Sequence, residues 1–192
     1  MHLEFEKYLC PDIKPTIYCA LTRKFRIPVR KYACNSTGLR NWRIDEKIWG
    51  SSNPTMSELR ELYQKGFRSI ISLLKEDEES PNYDVEEVEE MGFKRYSIPI
   101  KDFSPPTKGQ FKEFLEVLSE ALDRGKVLVH CEGGLGRTGT MAAAYWICKG
   151  LFAEEAIQKI RKMNSNAIEN REQEKSLIEN QAFIASLNIC RR

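Results

Sequence analysis

Long hydrophobic runs are missing from this chain: no stretch approaches the 18 or so apolar residues of a membrane-spanning helix. Cys-x-x-Cys pairs and Cys/His clusters are missing too, which excludes the usual zinc spacings. The net charge of +2 is too small to argue for nucleic acid by itself. No internal repeat or low-complexity linker divides the 192 residues, so one domain with a proper core is the simplest expectation. The opening, MHLEFEKYLCPDIK, carries charges where a signal peptide needs an apolar centre, so a cytoplasmic protein without a disulfide framework is expected.

What is present is ordinary in amount, 41% hydrophobic and 30% charged, but uneven in place. Residues 1–47 hold ten Lys/Arg against five Asp/Glu, while 76–90 hold nine acids and no base. The acidic run reads as a solvated face, and the basic N-terminal segment as a weak candidate for an acidic partner. Cys10, Cys19, Cys34 and Cys190 read as ordinary thiols, and Cys148, inside an apolar helix, as packing.

Residues 1–41 read as an N-terminal extension, with Pro11, Pro15 and Pro28 breaking any long element and one short strand at 17–21. A strand region over 42–49 follows. Thr55 and Glu58 form a capping box for a helix that ends at Gly66, and FRSIISLL (67–74) is a buried strand. A helix near 83–91 and a strand over 93–100 come next, then a Pro-rich polar loop at 101–106. Thr107 caps a helix with Phe111, Phe114, Leu115, Leu118 and Leu122 on its core face. The strand 126–130 leads into KVLVHCEGGLGRTGT (126–140). Helices are expected over 139–149, 153–163 and about 170–185. The alternation predicts an α/β fold, a central and mostly parallel sheet of about four or five strands flanked by helices.

Three readings compete for residues 130–139. Gly134-Leu135-Gly136-Arg137-Thr138-Gly139 matches GxGxxG between a strand and a helix, but the acid expected about 20 residues on falls inside a helix. A Walker-type loop, the other form of this nucleotide reading, fails too for want of Gly-Lys-Ser/Thr. A glycine turn around a buried cysteine needs neither the arginine nor so many small residues. Phosphoryl transfer by cysteine uses them all. Glu132, Gly133, Gly134, Leu135 and Gly136 curl the backbone so that N–H groups point inward, and Arg137 adds a bidentate fork for phosphate oxygens. That field and the helix dipole favour a Cys131 thiolate, to which Thr138 can donate its hydroxyl. His130 is expected to order the loop rather than act as a base.

HCEGGLGRTG resembles the HCxxGxxR(S/T) signature of the cysteine-dependent protein tyrosine phosphatases. Three more stretches, SIPIKDFSPPTKGQF (97–111), GTMAAAYWI (139–147) and AIENREQEKSLI (167–178), resemble the small atypical dual-specificity and archaeal tyrosine phosphatases. The resemblance covers about 42–186, so 42–192 is expected to be the phosphatase catalytic domain with a tyrosine-phosphatase-like fold. It implies hydrolysis of phosphorylated protein through a phosphocysteine, with no metal or cofactor. By position it makes Asp102 the general acid that protonates the leaving oxygen. It makes Gln173 the residue that positions the attacking water. Ser104, Asn53 and Tyr83 are candidates for the pocket mouth. The loop interior carries one acid and no base, whereas phosphatases similar to this one that prefer polyphosphorylated lipids often carry lysines there. RNA 5′-triphosphate hydrolysis is the enzymatic alternative, and a non-catalytic phosphoprotein-binding module is the alternative of another class.

Overall fold

The computed structural model describes residues 40–191. The strand expected at 17–21, the basic N-terminal segment, and Cys10, Cys19 and Cys34 all lie outside the described residues. In chain order the elements are β1 (Asn41–Arg43), β2 (Ile48–Ser51), α1 (Met56–Gln64), β3 (Phe67–Ser72), α2 (Val85–Glu90), β4 (Lys94–Ser97), α3 (Lys108–Arg124), β5 (Lys126–His130), α4 (Gly136–Cys148), α5 (Ala153–Met163) and α6 (Arg171–Ser186). Five strands form one sheet in the order β1-β2-β5-β3-β4, parallel except for β1.

Alternation along the strands builds a core on both faces. Val127 and Val129 of β5 join the large cluster under α3 to α6, while Leu128 between them joins the smaller one with Leu59, Phe67 and Val88. A strand buried on both sides carries no polar alternation, and Val127 to Val129 are fully buried. The caps fall where they are expected: Thr55 with Glu58, and Thr107 with Gln110, form capping boxes. Phe111, Phe114, Leu115 and Leu118 are buried, and each is worth about 1.5–3 kcal/mol of transfer free energy.

Three expected boundaries shift. The strand region at 42–49 is a hairpin of β1 and β2, turned by Ile44 and Asp45, whose N–H groups both donate to Ile48 O. The strand expected over 93–100 shortens to β4 because Pro99 has no N–H, although Ile98 and Ile100 still donate to Ser72 O and Leu73 O. Helix α4 begins at Gly136, three residues earlier than expected, which puts Arg137 and Thr138 in its first turn. Among the described residues no helix is long and apolar enough to cross a membrane.

Register decides where chemistry can sit. Ser51 of β2 and Ser72 of β3 both stand opposite His130 of β5, and Ser97 of β4 stands opposite Ser72. Four parallel strands therefore end level with one another, and the loops after them open on one edge. β5 lies between β2 and β3, so its C-terminal loop leaves the sheet where the connections part to either side.

Candidate active site

Cys131 follows β5 directly, and five residues later α4 begins. The carbonyls of the intervening loop are taken up from outside it. Trp42 Nε1 donates to Gly134 O at 3.0 Å, the Asn53 amide to Glu132 O at 3.0 Å, and the Gly139 amide to Leu135 O at 2.9 Å. The loop thus sits at the positive end of a long buried helix, where an anion is favoured. Gly134 makes the curl possible: its φ is +73°, and a Cβ there would lie 2.4 Å from the Ser51 carbonyl carbon. Gly50 has the same necessity, since a Cβ would press on the Trp42 ring at 2.8 Å.

The Cys131 sulfur is 2% exposed and accepts two hydrogen bonds at 3.2 Å, from the Gly134 N–H and from Thr138 Oγ1. Both donors aim a hydrogen at the sulfur. Arg137 is the largest fully buried side chain, with 1% exposure. Nη1 and Nη2 fork onto Glu79 at 2.5 and 2.9 Å, Nη1 also reaches Ile100 O at 3.1 Å, and Nη2 lies 2.9 Å from Asp102 Oδ1. Nε is buried with no acceptor among the described residues. Burial works against the guanidinium's charge, but Glu79, Cys131 and Asp102 outweigh it and hold the Arg137 pKa above its ordinary value.

His130 is fully buried, and its ring connects the loop to the layer behind it. Burial, with smaller contributions from Arg95 and Arg137, pushes its pKa down to about 3 against the pull of the Cys131 carbonyl. The ring is therefore neutral: Nδ1–H donates to Cys131 O at 3.4 Å and Nε2 accepts from the Tyr83 hydroxyl at 2.9 Å. Tyr83 in turn accepts from Arg95 Nε at 3.0 Å, and Arg95 pairs with Glu76.

The remaining expected residues divide. Gln173, in the first turn of α6, is fully buried against the start of α4, where its Nε2 lies 2.9 Å from the place a side chain at 136 would occupy. Its Oε1 accepts from the Glu169 N–H at 3.0 Å, while Nε2 is buried without an acceptor among the described residues. Asn53 is buried and binds the surrounding loops to one another, donating to Glu132 Oε2 at 2.9 Å and Ser80 O at 3.1 Å. Ser104 is half-buried in the loop that carries Asp102. Tyr83 does not line the mouth: it packs in the smaller core cluster behind the strand ends, because its hydroxyl is spent on His130 and Arg95.

Three residues escaped the sequence reading. Glu79 and Glu76 belong to the acidic run taken as a solvated face, yet Glu79 grips the buried arginine and Glu76 pairs with Arg95. Glu169 comes up against Gly136. The signal available was its place in AIENREQEKSLI, four residues before Gln173. Among the described residues no group of three His, Cys, Asp or Glu side chains is gathered as a metal ion requires.

The sequence model of the family described as "Polymorphic toxin system, DSP-PTPase phosphatase" matches residues 45–151. Mouse protein tyrosine phosphatase domain-containing protein 1 is 31% identical over 150 residues, covering 78% of this chain and 20% of that protein. The tyrosine-protein phosphatase CDC14 homolog of Schizosaccharomyces pombe is 35% identical over 89 residues, 46% of this chain and 17% of that one. The chain spans about a fifth of the length of these curated relatives. Among solved structures, Tk-PTP in its active form superposes with a TM-score of 0.67 at 32% identity, over 74% of this chain and 96% of that one. PTPMT1 in complex with PI(5)P gives 0.67 at 25% identity, over 76% and 97%.

Proposed function

The chain belongs to the DSP-PTPase phosphatase family, and on that premise we propose that it hydrolyses phosphotyrosine monoesters in proteins, with phosphoserine and phosphothreonine as further substrates, through a phosphocysteine intermediate. The observation that carries this is the buried Cys131 sulfur with two donors, beside an arginine whose Nε has no acceptor among the described residues.

In this reading the substrate's phosphate oxygens take the loop amides and the Nε and Nη2 of Arg137. Phosphate displaces Asp102 from Nη2, and the freed carboxylate, having taken up a proton from solvent, delivers that proton to the leaving oxygen as the Cys131 thiolate attacks phosphorus. Water placed by Gln173 then opens the phosphocysteine, its proton passing to a carboxylate of the site, Asp102 in the simplest scheme. Neutral His130 acts as a brace. Phe103, 64% exposed directly after Asp102, offers an apolar surface for the ring of a phosphotyrosine. PTPMT1 binds PI(5)P, but the loop here has no basic residue between Cys131 and Arg137 for a second phosphate, so phosphoprotein is the preferred substrate class.

Turnover of p-nitrophenyl phosphate in EDTA tests the reaction. Cys131→Ser should abolish it, and Asp102→Asn should lower kcat by roughly 10²–10⁴-fold. Activity that survives Cys131→Ser, or that requires a metal, would sink the reading. Phosphotyrosine peptide, phosphoserine peptide, triphosphorylated RNA and PI(5)P compared as substrates decide the class. Tight phosphopeptide binding without turnover would favour a binding module instead.

A further inference from the structure

Glu169 is a second carboxylate on the phosphate loop, and the scheme above gives it no task. Its carboxylate is drawn toward the Gly136 N–H, one of the amides at the start of α4. A Cβ at position 136 would fall 2.3 Å from its Oε2 and 2.9 Å from Gln173 Nε2, so only a glycine lets these two groups close on the phosphate loop. They bring an acceptor, the Glu169 carboxylate, and a buried donor, Gln173 Nε2, that has no acceptor among the described residues, to one place on the loop. A water molecule needs that combination to be held with one hydrogen aimed at a base.

The backbone is shaped to keep Glu169 there. Ile168, just before it, sits at φ +61° although β-branched and buried, a conformation that costs about 1–3 kcal/mol and persists only when its surroundings impose it. Ile168 N–H donates to Leu135 O at 3.3 Å, Glu169 N–H to Gln173 Oε1 at 3.0 Å, and Asn170 Nδ2 to Phe103 O at 2.8 Å. The last bond ties this turn to the loop of Asp102. Burial and then the charge of Asp102 push the Glu169 carboxyl pKa up, against the pull of the Gly136 N–H and Arg137.

We propose that Glu169 is the general base of the second step, holding the attacking water together with Gln173. Its carboxylate takes the water's proton as the new P–O bond forms, and the P–S bond breaks with its electron pair returning to Cys131. Asp102, paired with Arg137 and 42% exposed, keeps the first step, where the leaving group enters and departs. The proposal rests on the phosphocysteine route above.

The test is rapid mixing of p-nitrophenyl phosphate with wild type, Glu169→Gln and Asp102→Asn, reading the p-nitrophenolate burst and the phosphocysteine by quenched intact mass. For Glu169→Gln the burst rate should stay within about threefold of wild type. The steady rate should fall roughly 10–10²-fold, with phosphocysteine accumulating toward one per enzyme. A parallel fall of burst and steady rates, or no accumulation while both stay at wild-type values, would overturn the proposal and leave Glu169 a brace for the loop. A wild type that turns over while no protein in the series yields phosphocysteine would instead overturn the covalent route itself.

Discussion

Substituting Glu79→Gln removes one charge and leaves nearly the same shape, 58 residues from the arginine it holds. The Arg137 side chain is 1% exposed and that of Glu79 17%, so water screens the pair little. Breaking a buried pair by deleting one partner costs about 3–5 kcal/mol. Here glutamine keeps one acceptor, and Asp102 and the Ile100 carbonyl remain on the guanidinium, so about 1.5–3 kcal/mol is a fairer expectation. For a domain of this size that lowers Tm on the order of 3–12 °C. If the same energy holds the fork toward phosphate, kcat/KM falls about 10–10²-fold. Thermal unfolding with and without inorganic phosphate, followed by steady-state kinetics, measures both. Phosphate should recover part of the lost Tm by supplying a new anion to the arginine. Glu78→Gln is the control, because Glu78 is 43% exposed and pairs with Lys75 on the surface, where such pairs are worth about 0–1 kcal/mol. Equal effects from the two substitutions, or none from Glu79→Gln, would refute the claim that Glu79 positions the arginine.

Two further outcomes follow from the same site. His130 has a folded pKa near 3 against an ordinary 6.5, so as pH falls the unfolded chain takes up the proton first. The stability this neutral ring allows is complete above about pH 6.5 and is lost toward pH 3 at about 1.4 kcal/mol per pH unit. Urea unfolding at pH 7 and pH 5 should therefore show a loss of about 2 kcal/mol in wild type that His130→Asn lacks, and parallel losses would refute it. Gly134→Ala places a methyl 2.4 Å from the Ser51 and Ser52 backbone at φ +73°. It should cost more than about 2 kcal/mol and most of the activity, whereas Gly133→Ala, with nothing within 4 Å of the new Cβ, should do neither. Similar unfolding curves for the two would contradict that geometry.

What could be read from the sequence was what lies close along the chain. Cys131, Thr138 and Arg137 fall within eight residues, so their chemistry is written in one stretch, and the helices announce themselves through caps and apolar stripes. The partners came from afar. Trp42 reaches Gly134 across 92 residues, and Glu79 was hidden in a charge run whose surface members, Asp77 and Glu78, look the same in sequence. Tyr83 was placed at the mouth because composition cannot tell which face of a sheet a loop residue turns to. The start of α4 was misplaced by three residues because Gly136 and Gly139 read as loop. In the fold both glycines are where Glu169, Gln173 and Ala167 press against the helix.

Trp42 stands on a three-residue strand that pairs, among the described residues, with β2 alone, three residues before the stretch the family model matches. A strand this short opens at little free-energy cost. Each opening would withdraw the indole from Gly134 and loosen the turn that aims an N–H at the Cys131 sulfur. The nucleophile thus depends on the pairing of β1 with β2. A chain trimmed to begin at residue 45 would keep the whole matched segment and lose this fastening.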